Sequence, residues 1–81
     1  MIRKTLARNQ PEVGKFVREL RILAGLTQEE FATTIGVTYS TINRWENCHT
    51  RPMPLAMQKI EEMAKEMGEK GENLLRKYNT K

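Results

Sequence analysis

Between positions 28 and 47, Gln28, Thr38, Tyr39, Ser40, Asn43, Arg44 and Asn47 supply amides, hydroxyls and one guanidinium. These groups donate and accept hydrogen bonds, and none is a nucleophile with a base placed beside it. Arg44 has the most specific chemistry of the set, because its planar fork of donors fits two acceptors lying side by side. The more reactive residue types do not assemble into a site. Cys48 and His49 are neighbours, but zinc takes about four ligands and a thiolate nucleophile needs a positioned base and a pocket, so the two read as loop. Glu29, Glu30, Glu61, Glu62 and Glu66 read as solvated helix faces. The chemistry is that of non-covalent recognition, without a catalytic residue, a metal site or a cofactor.

For these side chains to act together, one surface must present them, and residues 26–47 are built to make it. Thr27 followed three residues later by Glu30 is a capping box, which starts a helix over 28–35. Leu26 and Phe31 are placed for a hydrophobic staple, and Val37, Thr38 and Ile42 repeat that spacing at a second start, which leads a helix over 39–47. Gly36 can take the left-handed conformation that closes the first helix, and only Gly36, Val37 and Thr38 separate the two. That is a tight helix-turn-helix. Phe31, Ala32 and Ile35 of the first helix and Ile42 and Trp45 of the second turn inward, with Ala32 small enough for a close crossing. The opposite face of the second helix is Ser40, Asn43, Arg44 and Asn47, which no packing requirement explains.

The flanking segments complete a core around this pair. Pro11 suits a first helical position, and Val13, Phe16, Val17, Leu20 and Ala24 form one apolar stripe of a helix over 11–24 that Gly25 ends. Arg21 lies at the margin of the stripe. Ile22 lies almost opposite it and calls for a cover from the C-terminal segment or a second subunit. After an irregular stretch, Pro52 and Pro54 lead into a helix over 54–67 with Met53, Ala56, Met57, Ile60, Met63, Ala64 and Met67 along one face, stopped by Gly68. Thioether side chains fill irregular gaps in a core or an interface, and no metal site is implied. In 69–81 the apolar residues are Leu74, Leu75 and Tyr78. The four-residue step from Leu74 to Tyr78 allows a short helix over 72–78 that lays one edge on the domain or joins a dimer. Residues 1–10 carry Arg3, Lys4 and Arg8 and no acidic residue, which reads as a frayed end or as a basic arm following a phosphate backbone.

At 81 residues the chain fits one small domain, with 30% charged and 38% hydrophobic residues in the range of a folded helical protein rather than a disordered one. The expected fold is all-α, a compact bundle of four to five helices. A net charge of +4 favours anionic partners but does not by itself select one. One cysteine permits no intrachain disulfide, and no apolar run approaches the ~18 residues of a membrane span. A cytoplasmic protein without a membrane role is expected.

Placed on this scaffold, the polar residues acquire distinct roles toward double-stranded DNA. Gln28 sits in a first helical turn, where unsatisfied amides and the positive dipole end attract a phosphate. Tyr39 and Ser40 lie in the first turn of the second helix and Arg44 one turn on, where a recognition helix reaches base edges, and a guanidinium can bond bidentately to guanine O6 and N7. Thr38, Asn43 and Asn47 are phosphate-contact candidates, Thr38 on condition that its hydroxyl is not wholly used as a cap.

The chain resembles the Cro and phage-repressor type of helix-turn-helix, the XRE-like family. The residues that carry the likeness are Leu20 and Arg21, the run from Gly25 to Ala32, Ile35-Gly36-Val37, Ile42 with Arg44-Trp45-Glu46-Asn47, and Arg51-Pro52; it covers residues 13–67. The resemblance implies a domain over 11–68 that binds operator DNA, preceded by the basic arm 1–10 and followed by an extension over 69–81. It implies a transcriptional regulator, repressor-like and of prokaryotic or phage type, acting as a homodimer on half-sites ~34 Å apart. It matches Gln28 and Asn47 to phosphate-contacting positions and Tyr39, Ser40 and Arg44 to base-reading ones, with Tyr39 standing where amides are common. It also matches Arg21 and Glu46 to a partly buried structural ion pair. Cys48 stands where the family usually has glycine, so either Asn47 or Cys48 closes the second helix with some strain or that helix ends differently. Two other readings stay open: an antitoxin that holds a toxin with the Met-rich helix or the tail, and an adaptor that meets an acidic protein with the same polar face.

Overall fold

The computed structural model describes residues 10–78. Five helices follow one another in it: α1 (Gln10–Leu23), α2 (Gln28–Ile35), α3 (Tyr39–Glu46), α4 (Pro54–Glu66) and α5 (Glu69–Tyr78). No strand occurs among the described residues, and the expected all-α bundle is the fold. The basic arm lies outside the described residues except for Gln10, which opens α1.

The apolar stripes converge on one core. Val13, Phe16, Val17 and Leu20 of α1 are buried against Phe31, Ala32 and Ile35 of α2 and Ile42 and Trp45 of α3. Met57, Ile60 and Ala64 of α4 and Leu74 and Tyr78 of α5 close the rest. Both ends of α2 are capped. Thr27 Oγ1 accepts from the Glu30 N–H at 3.1 Å, and Glu30 Oε1 accepts from the Thr27 N–H at 2.9 Å. At the other end Gly36, with φ of 92°, turns its N–H back to the Ala32 carbonyl at 2.8 Å. Lys59 of α4 adds an ammonium 3.4 Å from the Ile35 carbonyl, a cation at the negative end of the helix dipole.

The strain expected at the close of α3 falls on Cys48, which takes a left-handed φ of 64°. The His49 N–H bonds the Arg44 carbonyl at 2.9 Å and the Cys48 N–H bonds the Trp45 carbonyl at 3.0 Å, the pair of bonds that defines a Schellman close. Gly14 of α1 lies against this close. A Cβ there would stand 2.7 Å from the Trp45 carbonyl oxygen and 2.8 Å from Cys48 Sγ, so only glycine lets α1 approach the end of α3 this nearly.

Two expectations are corrected, and one of the two covers expected for Ile22, the C-terminal segment, is not supplied. The last helix starts at Glu69 rather than at 72, because Gly71 is not a boundary but a contact: it is buried, and a Cβ on it would collide with the Ala64 carbonyl of α4. Met53 is 74% exposed rather than part of the inward stripe, since it precedes the first turn as the N-cap of α4. Ile22 remains 56% exposed: α5 packs on the neighbouring edge of α1, where Tyr78 meets Phe16 edge to face with ring centroids 5.9 Å apart and bonds Glu19.

Candidate nucleic-acid interface

A buried polar tie behind α3 sets its attitude. Glu46, in the last turn of α3, accepts from Arg21 Nε at 2.7 Å through Oε2 and from Arg21 Nη2 at 3.1 Å through Oε1. The remaining arm of Arg21 bonds the Leu26 carbonyl at 3.0 Å. The Glu46 side chain is 3% exposed and that of Arg21 15%. The hydrogen bonds to Glu46 raise the pKa of Arg21, against the opposing effect of burial. The guanidinium is therefore held charged and paired, as a charge out of water requires. The tie joins α1 to α3 as the resemblance implied.

The same carboxylate takes a third donor. Gln28 Nε2 bonds Glu46 Oε1 at 3.0 Å, so the half-buried side chain of Gln28 faces the back of α3 instead of extending freely from the first turn of α2. Helical periodicity could not reveal this, because it gives the direction of Cα–Cβ and not where a long amide folds back. The capping box nevertheless leaves the Gln28 and Glu29 backbone N–H groups unclaimed, since it uses those of Thr27 and Glu30.

Of the polar residues of α3, Tyr39, Ser40 and Arg44 are exposed. Ser40 and Arg44 are four residues apart and share a face. Among the described residues the Arg44 side chain makes no hydrogen bond or ion pair, so its guanidinium is available to an outside acceptor. Asn47 Nδ2 bonds Asn43 Oδ1 at 3.0 Å along the adjacent edge, which leaves each amide a further donor. Thr38 Oγ1 caps α3 by accepting from the Thr41 N–H at 3.3 Å, and it lies 3.2 Å from the Ser40 hydroxyl and 2.9 Å from that of Thr41. The cap uses Thr38 as an acceptor, so its one proton can still be given away.

The fold thus brings Tyr39, Ser40 and Arg44 onto one surface and divides the phosphate candidates. Gln28, Asn43 and Asn47 lie toward the end of α3 where Glu46 sits, and Thr38 lies at its start. Thr41, which shares in the Thr38 cap, and Lys59, which caps α2, were not singled out in the sequence; a Thr-x-x-Thr step at a helix start is the local signal for the first, and nothing local signals the second. No group of three or more His, Cys, Asp or Glu among the described residues is arranged to hold a metal, and no described helix is long and apolar enough to cross a membrane.

Comparison with curated proteins and with solved structures finds no significant match. A helix-turn-helix family model matches residues 17–64, more than half of the 81 residues, and the match spans Arg21, the motif, Glu46 and most of α4. The chain therefore belongs to the Cro and phage-repressor type (XRE-like) helix-turn-helix family of DNA-binding domains.

Proposed function

We propose that the protein binds double-stranded DNA sequence-specifically and acts in the cytoplasm as a transcription regulator of prokaryotic or phage type, repressor-like and dimeric on its operator. In this reading α3 enters the major groove, Tyr39, Ser40 and Arg44 meet base edges, and Gln28, Thr38, Asn43 and Asn47 hold the backbone on either side. The observation that carries it is Arg44: an exposed guanidinium with no partner among the described residues, one turn from Ser40, on a helix whose other face is buried. Glu29 is also in the first turn of α2. Its negative charge weakens the pull of the helix dipole, so the amide donors rather than the dipole decide the phosphate contact there.

Selection of bound duplexes from a random pool tests the reading. A pseudo-palindromic site is expected, and Arg44→Ala should cost ~1–3 kcal/mol of discrimination at one base pair per half-site while folding is retained. Failure to enrich any duplex overturns it. A protein partner, a toxin included, is the second reading, favoured by Met53 and Leu55, which are 74% and 68% exposed at the start of α4. Light scattering of the protein alone and with the selected duplex separates self-association from a need for another chain.

A further inference from the structure

The carboxylate of Glu46 meets three donors with two oxygens. Two come from Arg21 and complete a bidentate pair; the third is Gln28 Nε2, on the oxygen that Arg21 Nη2 also uses. A carboxylate only accepts, so Gln28 can turn nothing but its NH2 toward Glu46. One N–H is thereby taken, and the other is left for a further acceptor. The Gln28 and Glu29 backbone N–H groups left by the capping box lie in the same turn. Arg21 fixes the arrangement from behind through Glu46 and through the Leu26 carbonyl, two residues before Gln28.

We infer that Glu46 is a positioning residue for the DNA backbone contact: its Oε1 holds the Gln28 amide with one N–H outward, and Arg21 holds Glu46. The inference rests on reading Gln28 as a phosphate contact. Without the anchor, the Gln28 side chain samples several rotamers and presents its carbonyl oxygen to a phosphate as readily as its donor. Glu46 and Gln28 then act on DNA affinity as one unit, so their effects do not add. Electrostatics alone predicts the opposite, because removing one carboxylate from a protein that binds a polyanion raises affinity.

The test uses Arg21→Met/Glu46→Leu, which removes the anchor without changing net charge and replaces a buried pair by apolar groups, a change that folds often tolerate. Phosphate contacts carry no sequence information, so a random-sequence duplex at low salt is a sufficient probe. In the otherwise native protein, Gln28→Ala should lower affinity about tenfold, the worth of one charge-assisted hydrogen bond, and leave the salt slope unchanged, because the amide neutralises no phosphate. Removing the anchor should cause a similar loss, and Gln28→Ala should add nothing to it. Equal losses from Gln28→Ala in both backgrounds leave the phosphate contact standing and overturn the inference. No loss from Gln28→Ala in the native background overturns the phosphate contact, and the inference with it. Nitrogen relaxation of the Gln28 side-chain amide in the native protein needs no variant to fold: order approaching that of the backbone is expected, and mobility like that of an exposed glutamine overturns the positioning.

Discussion

Replacing Gly14 with alanine sets a local gain against a tertiary loss, and the structure decides between them. Gly14 lies in α1, where alanine is favoured over glycine by ~1 kcal/mol in a helix interior. On intrinsic propensity alone Gly14→Ala should stabilise the protein. The new methyl, however, would stand 2.7 Å from the Trp45 carbonyl oxygen and 2.8 Å from Cys48 Sγ, against about 3.3–3.6 Å for the nearest comfortable C···O approach. The sulfur can rotate aside, but the carbonyl cannot, because it accepts the Cys48 N–H that closes α3. The remaining relief is a shift of α1 against α3, and overpacking of this kind costs ~1–3 kcal/mol. With a backbone atom as the obstacle the upper part of that range applies, so a net destabilisation of ~1–2 kcal/mol is expected. For a domain of this size that corresponds to a fall in Tm of roughly 4–16 °C. Thermal and urea unfolding followed by circular dichroism measure it. In a Cys48→Gly background the sulfur is gone and the carbonyl remains, so Gly14→Ala should still destabilise. A rise in Tm on Gly14→Ala refutes the close approach, and a rise confined to the Cys48→Gly background shows that the sulfur alone was the obstacle.

Cys48→Gly by itself relieves a left-handed side-chain residue, worth ~1–2 kcal/mol, against ~0.5–1 kcal/mol for the added freedom of glycine in the unfolded chain; a gain of up to about 1 kcal/mol is expected, and a lower Tm contradicts the strain. Glu46→Ala strands Arg21 at 15% exposure and should cost ~3 kcal/mol, whereas a loss below ~1 kcal/mol is what an exposed pair gives and would place the tie at the surface. The Tyr78 hydroxyl donates to Glu19 Oε2 at 2.7 Å, and its pKa is raised from 10.0 to about 12 by burial first and then by the Glu19 bond and the charges of Glu19 and Glu12. Because the folded value lies above the unfolded one, the stability that Tyr78 contributes is whole below pH 10 and is lost as pH rises toward 12. In a Tyr39→Phe background Tyr78 is the only tyrosine: tyrosinate absorbance of the folded protein should rise late, Tyr78→Phe should flatten the alkaline loss of stability, and an ordinary tyrosine titration in the folded state contradicts the burial.

How much of this is legible in the chain depends on the range of the interaction that fixes each feature. The starts of α2 and α3 are written in short local signals, Thr27 to Glu30 and Thr38 to Ile42, and the structure starts a helix at each. The strain at Cys48 is visible as a side chain where glycine is usual. Gly71 is not legible, because by propensity it reads as a break, and its reason is the backbone of α4 pressing on it from elsewhere in the sequence. The exposure of Ile22 is similar: periodicity shows that it is off the stripe, but not that α5 chooses the other edge of α1. The polar residues divide along the same line. Arg44 and Ser40 are conspicuous because no packing role explains them, whereas Gln28 has the composition of a surface residue and the contacts of a half-buried one.

That division bears on how α3 works. A helix of eight residues is too short to hold its shape in water without tertiary support, so the orientation of its reading face is imposed from outside. The supports are unevenly placed: Glu46 with Arg21, the Cys48 close and the Gly14 contact all act at the C-terminal end of α3. Tyr39, Ser40 and Arg44 project from its first six residues. The Thr38 cap, the burial of Ile42 and the packing of α2 hold that part. Gly14→Ala, although it touches none of the proposed reading residues, should therefore tilt α3 about its anchored end and move base discrimination and stability together. Arg44→Ala removes a proposed reader from a helix that is still held and should move discrimination alone.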